Sequence, residues 1–300
     1  MEDPKEILRK ALLKIRPFLS EKSLVSYIST LMNLPKKLND QPKDIIKYFS
    51  ENVDNIIIFL KLKHPRSRKS VLSPLVVLTD NDKYKKLMQS DIQKYDDNTK
   101  KQEKTLNESM NWIEWADVIK NHNQLKLYFL AGLRAKEMSK PLLHSMNSFV
   151  LLSFFVLFPP RRALDYAVMK YQNYDKEKDN YIDFKKKQMI FNEYKTNNKY
   201  GKQTFDLPVE LSKILKQWIK LLDKENDYII MTKSHETVDI TKMLNEIFKP
   251  KKVSVNMLRH SFLTNHYKEQ TGIPDLLHME DLASKMGHSV NQQLLYLRKD

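Results

Sequence analysis

Val255-Asn-Met-Leu-Arg-His-Ser-Phe-Leu-Thr264 is the stretch on which the reading of this 300-residue chain turns. It falls in a helix expected over 254–269. Positions i and i+3 share a helix face, so Asn256 and Arg259 are expected to point the same way. Downstream lie Met286-Gly-His-Ser289 and then Tyr296, eight residues after His288. Upstream lie Pro159-Pro-Arg-Arg-Ala-Leu-Asp165 and Glu193-Tyr-Lys-Thr196. The ordered set is therefore an arginine pair with an acid, a lysine, a second arginine, a Gly-His pair and a tyrosine.

Composition narrows what such a set can do. Lys+Arg number 52 against 37 Asp+Glu, so the formal charge is 52 − 37 = +15. A surplus of that size attracts polyanions, of which nucleic acid is the commonest. The surplus is shared along the chain: 23 − 17 = +6 over residues 1–120 and 29 − 20 = +9 over the rest. Both halves are thus suited to touch one long anion. Cysteine is absent, which excludes a disulfide framework, a Cys-based zinc site and a cysteine nucleophile. Only four glycines occur (Gly132, Gly201, Gly272, Gly287), where a soluble protein averages about 7%. Neither G-x-G-x-x-G nor a P-loop is present. The 41% apolar content supports real cores, and the length suggests roughly two domains of about 150 residues.

Residues 1–60 read as helices. In Glu21–Leu34, Leu24, Tyr27, Ile28 and Leu31 recur at helical spacing, with Lys22, Ser23, Ser26 and Thr30 opposite. Lys61–Ser70 is basic and broken by Pro65, and reads as a loop over DNA, a nuclear-import signal or a solvated linker. Residues 80–104 read as a polar surface connection. Thr105-Leu-Asn-Glu108 fits a capping box opening a helix that carries Trp112, Ile113 and Trp115, with the tryptophans in the core. MEDPKEILRK lacks a signal-peptide apolar segment. Leu142–Phe158 is shorter than the roughly 20 residues of a membrane span and reads as a buried helix ended by Pro159-Pro160. A helix is expected from Arg161-Arg162 to about Tyr171. Gln188–Tyr194 and Gln203–Leu207 read as a β-hairpin around Asn197, Asn198 and Gly201. Further helices are expected at 209–222, 240–248, 274–286 and 291–297. The fold class is mainly α with a small embedded β-hairpin, in two domains, 1–123 and 124–300.

The ordered segments resemble the tyrosine recombinase (phage integrase) family. The resemblance covers the second half of the chain, and the N-terminal helices look like the core-binding domain of such enzymes. The Pro159-Pro-Arg-Arg162 form is similar to recombinases of eukaryotic mobile elements and large DNA viruses. The resemblance implies a two-domain DNA clamp and catalytic residues Arg162, Lys195, Asn256, Arg259, His288 and Tyr296. Arg162 and Arg259 would hold the non-bridging oxygens of one phosphodiester, a task for permanently charged bidentate donors. Arg161 is the rival of Arg162, which is favoured because Asp165 follows it by three residues. Tyr296 would be the nucleophile, forming a 3′-phosphotyrosyl bond and releasing a 5′-hydroxyl. Lys195 would protonate the leaving oxygen, with Lys199 and Lys202 as rivals on the same turn. His288 would bond the phosphate or accept the tyrosine proton.

Two positions depart from the family. Asn256 stands where histidine or lysine is usual, which shifts proton transfer to Lys195 and His288. The His288-to-Tyr296 interval is one residue shorter than the commoner one, which sets the tyrosine on a turn. His260 reads as structural, and His266 and His278 have no partner in the sequence reading. Four residues follow Tyr296, fewer than the C-terminal segment by which family members lock protomers together. The implied partners are double-stranded DNA and further copies of the chain, from dimer to tetramer, with no membrane. No cofactor, metal or ATP is implied, because the ester conserves the bond energy. The expected location is intracellular, at DNA, in a nucleus, viral factory or bacterial cytoplasm. Other readings are type IB topoisomerase-like relaxation and an inactive DNA-binding protein of the same fold.

Overall fold

A computed structural model describes residues 3–230, 238–270 and 275–299. The chain divides into two compact units, Met1–Lys101 and Gln102–Asp300. It is mainly α-helical with one small sheet.

The first unit holds α1 (Pro4–Ile15), α2 (Glu21–Lys37), α3 (Ile45–Glu51), α4 (Val53–Lys61), α5 (Pro65–Thr79) and α6 (Asp82–Lys100). Side chains of Asp3, Ser20, Asp44 and Asn81 cap the starts of α1, α2, α3 and α6 by accepting from first-turn amides. Leu24, Ile28 and Leu31 of α2 enter a core with Leu8, Leu12, Phe49, Ile56, Leu72 and Tyr84. Two stretches differ from expectation. The basic stretch 61–70 is no solvated linker: Pro65 occupies the first turn of α5, where its missing N–H is no loss. Arg68 is buried and donates to both carboxylate oxygens of Asp91 at 2.5 Å. Within the expected surface connection, Asp82–Lys100 is helix, and this pair ties it to α5. Tyr84, Leu87, Met88 and Asp91 lie at i, i+3, i+4 and i+7 of α6, facing the core. Polar composition concealed this narrow stripe.

The second unit begins with α7 (Leu106–Asn111) and α8 (Trp115–Gly132). The expected boundary at 123 falls inside α8, which packs on α9 (Lys140–Leu157). The capping box is formed: Thr105 accepts from the Glu108 amide and Glu108 from the Thr105 amide. Trp112 ends α7 in an extended conformation and is buried. The apolar α9 buries Met146 through Phe155, packed by α8, α12 (Val209–Trp218) and α13 (Ile240–Ile247). α9 is long and apolar enough to cross a membrane, yet it is the core helix of this unit.

After Pro159-Pro160, α10 (Ala163–Ala167) stops earlier than Tyr171, because Met169–Lys170 forms strand β1. β1 pairs in parallel with β2 (Asn180–Asp183), which continues antiparallel to β3 (Gln188–Phe191) and β4 (Gln203–Asp206). The sheet order is β1-β2-β3-β4, so the expected hairpin is its β3–β4 half. Its connection contains the single-turn α11 (Asn197–Tyr200), ended by Gly201 at φ 65°. α14 (Val255–Lys268), α15 (Leu276–Lys285) and α16 (Val290–Leu294) complete the unit. Pro274, the expected start of α15, and Gly272 lie outside the described residues.

Candidate active site

Five chain segments meet around Gly287, one of them the β3–β4 connection with Thr196. α10 contributes Arg161 and Arg162 at its N-terminal end, and α14 contributes Arg259. The turn after α15 contributes Gly287 and His288, and the turn after α16 contributes Tyr296. The Gly287 carbonyl accepts from Arg162 Nη1 at 2.6 Å and from Thr196 Oγ1 at 3.2 Å. Gly287 itself has φ 70°, which glycine adopts without strain.

The two adjacent arginines divide their work. Arg161 is fully buried. Its Nε donates to Asp165 Oδ2 at 2.8 Å, its Nη2 to Gln203 Oε1 at 2.9 Å, and its Nη1 to the Lys285 carbonyl at 2.9 Å. Its guanidinium also lies over the Phe191 ring, 4.0 Å from the centroid. It joins the sheet to the end of α15. Burial raises the Asp165 carboxyl, and the Arg161 charge opposes that rise. Arg162 is half-buried and stands closer to solvent.

Arg259 is buried, and burial pulls its guanidinium down. Nη1 donates to the carbonyls of Pro160 and Met286, both at 3.1 Å. Nε and Nη2 are buried and form no hydrogen bond of good geometry with any described residue, although the Tyr296 side chain interacts with the guanidinium. The guanidinium lies 4.7 Å from the Tyr296 ring centroid. Such orphan donors are costly in a native fold unless an anion meets them.

His288 donates from Nδ1 to the Ser289 carbonyl at 3.0 Å, which leaves Nε2 unprotonated and buried, with no hydrogen-bond partner among the described residues. Burial and then the Arg259 charge, with smaller contributions from Arg162 and Arg161, lower this ring to about 3. Its centroid lies 5.5 Å from that of Tyr296. Tyr296 is 9% exposed and packs with Leu263, Leu282 and Met286. It sits in the turn after α16.

Lys195 and Asn256 are exposed. Asn256 shares a face of α14 with Arg259 but stands at its solvent end. Lys195 belongs to a loop that is held on both sides. Thr196 is tied to Gly287, as above. Asn180, fully buried, accepts from the amides of Asn192 and Glu193 and donates to the carbonyls of Asp165 and Glu193. Lys202 donates to the Lys176 carbonyl at 3.0 Å and lies near Glu177. Lys199 stands over its neighbour Tyr200.

The sequence reading gave no role to Gln203 and Asn180, polar residues with no motif signal, or to Thr196, which it quoted only as the end of the Glu193–Thr196 segment. His266 and His278, without partners in sequence, contact each other at 3.2 Å between Nε2 atoms. His260 contacts the Tyr296 carbonyl at 2.6 Å. No residue group among those described has a metal-ligand arrangement.

No protein-family model matches the chain. No curated protein matches it either. Among solved structures, the chain is similar to the XerA recombinase, at 12% identity and a TM-score of 0.42, over 98% of this chain and 94% of that one. It is also similar to the XerH site-specific recombinase bound to difH substrate in a pre-cleavage complex, at 17% identity and a TM-score of 0.41. That match covers 100% of this chain and 94% of the other.

Proposed function

We propose that this chain is a site-specific DNA recombinase that breaks and rejoins strands through a 3′-phosphotyrosyl intermediate at Tyr296. One observation carries the reading. Buried donors with no well-formed hydrogen bond among the described residues (Arg259 Nε and Nη2) and a bare imidazole nitrogen (His288 Nε2) lie against Tyr296, whose side chain interacts with the Arg259 guanidinium. A phosphodiester oxygen would meet those donors, and Arg162 would supply a second guanidinium from the half-buried side. As negative charge grows on the non-bridging oxygens at the transition state, fixed cations in a dry site stabilise it strongly.

The step runs as follows. The Tyr296 oxygen attacks phosphorus, the new Tyr–O–P bond forms, and the P–O5′ bond breaks. The phenol proton passes to His288 Nε2. Burial first and the Arg259 charge second keep this ring neutral; a bound phosphate offsets the second and so raises its basicity. Lys195, exposed on its loop, reaches the 5′ oxygen and protonates it. Asn256 donates a hydrogen bond at the solvent side of the phosphate. Rejoining reverses these transfers, and no nucleotide is consumed. The spread of positive charge over both units suits a duplex held mainly by its backbone.

The test uses duplexes nicked so that the short 5′ fragment diffuses away after cleavage. The wild-type chain is expected to give a covalent adduct on a denaturing gel, and Tyr296→Phe none. An adduct that survives Tyr296→Phe refutes the nucleophile. Relaxation of plasmid without joining of two DNAs favours a topoisomerase instead, and no adduct at all leaves an inactive DNA-binding protein.

A further inference from the structure

Tyr296 is carried on a turn after the five-residue α16, which is too short to be held by its own hydrogen bonds. What holds the turn is a set of side chains from elsewhere in the unit. Every backbone carbonyl from 294 to 297 accepts a bond from a side chain. Gln102 Nε2 donates to Leu294 at 3.2 Å, and His260 Nδ1 donates to Tyr296 at 2.6 Å. Arg298 Nη1 donates to Leu295 at 2.9 Å and Leu297 at 2.8 Å, bracketing the tyrosine. The other edge of Arg298 is fixed in turn. Nη2 and Nε donate to Glu108 Oε1 at 2.9 and 3.3 Å, and the Arg298 amide donates to Thr264 Oγ1 at 3.0 Å.

Glu108 is the hub. Its second oxygen accepts from the Thr105 amide in the capping box. Burial pushes this carboxyl up, but the Arg298 bond and the Thr105 amide outweigh burial and hold it at about 2. His260 donates from Nδ1 to a carbonyl, so its Nε2 is the bare nitrogen, set to accept from Arg298 Nη2 at 3.3 Å. Burial and Arg298 lower this ring to about 4, so it is neutral and does not pair with Glu108 as a cation. The side chains of Glu108, Arg298 and His260 are 9–14% exposed, so water competes little for these bonds. Lys299 completes the set by donating its amide to the Gln102 carbonyl at 2.8 Å.

We propose that Glu108, Arg298 and His260 are positioning residues that hold the Tyr296 turn at a set distance from Arg259 and His288. The chemical consequence rests on the recombinase reading above, whereas the clamp itself does not. A capping role for Glu108 predicts something different from a clamping role. Glutamine serves at the third helical position of a capping box. Glu108→Gln therefore keeps α7 while removing the charge that orients Arg298. Arg298→Lys keeps the charge but cannot bridge two carbonyls and a carboxylate.

Two measurements on the full chain decide the matter. The first is adduct formation on a nicked duplex at saturating DNA, with DNA affinity measured separately. Both variants are expected to slow adduct formation by about 10–100-fold with affinity within about twofold, because small misplacement of a nucleophile has effects of that size. The second is amide hydrogen exchange over 290–299, which both variants are expected to accelerate. Wild-type adduct rates in both variants overturn the clamp, as does a rate loss matched by lost affinity, or unchanged exchange. If the wild-type chain itself forms no adduct, the recombinase reading falls, and exchange alone decides the clamp.

Discussion

Gly287→Ala places the largest stress on the site for the smallest change in composition. A Cβ there would lie 2.9 Å from Arg161 Nη2, 3.3 Å from Cζ and 3.6 Å from Nη1. A flexible side-chain end normally yields to such a contact. Arg161 has no such freedom, since Asp165, Gln203 and the Lys285 carbonyl hold it and Phe191 lies beneath. The positive φ adds about 1 kcal/mol for any L side chain. Overpacking of a fixed neighbour adds about 1–3 kcal/mol. The sum is about 2–4 kcal/mol. At about 2–4 °C per kcal/mol for a domain of this size, Tm should fall by about 4–16 °C. Thermal and urea unfolding of the full chain measure it. Gly201→Ala is the comparison: it also has positive φ, but a Cβ there meets nothing within 4 Å. Adduct formation should then fall in Gly287→Ala and persist in Gly201→Ala. A Gly287→Ala loss under about 1 kcal/mol, with adduct formation intact, would refute the claim that Arg161 is fixed.

Other outcomes follow from the same geometry. Asp91→Asn should cost the first unit about 3–5 kcal/mol by stranding the buried Arg68 charge; Arg68→Met with Asp91→Leu should cost less, which urea unfolding of the pair of variants checks. Asn180→Ala leaves the amides of Asn192 and Glu193 unsatisfied and should cost about 2–4 kcal/mol while slowing any reaction that uses Lys195. Stability should decline on acidification. His122 and His260 are lowered to about 4 and His288 to about 3, all by burial first, so between about pH 6.5 and these values the unfolded chain binds more protons. Each histidine then contributes a slope of up to ~1.4 kcal/mol per pH unit, and His122→Gln should reduce the total by about one proton. A flat profile from pH 6.5 to 4.5 in urea melts contradicts this.

Local signals carried far in this chain where they were strong. The capping box at Thr105–Glu108, the apolar α9 ended by two prolines, and the β3–β4 hairpin were legible because each rests on neighbours in sequence. The helix α6 was not. Its buried stripe is only Tyr84, Leu87, Met88 and Asp91, and the last is an acid whose place in the core depends on Arg68, 23 residues away. β1 was missed for a similar reason, since two residues become a strand only when Asn180–Tyr181 lies alongside.

The sequence by itself determined the helical class, the charge that favours a polyanion, and the ordered set of Arg, Lys, Arg, His and Tyr. The sequence favoured Arg162 because Asp165 follows it by three residues, but the tertiary structure pairs Asp165 with Arg161. Adjacent residues at a helix start point in different directions: one is locked between sheet and α15, and the other stands half-open at the Gly287 carbonyl. Tertiary structure likewise recruited Glu108 and Gln102, 188 and 194 residues from Tyr296, to hold its turn. The physical reason is the same in both cases. A side chain's partners in a buried site come from segments far apart in the chain, and hydrogen bonds between them leave no periodicity to read.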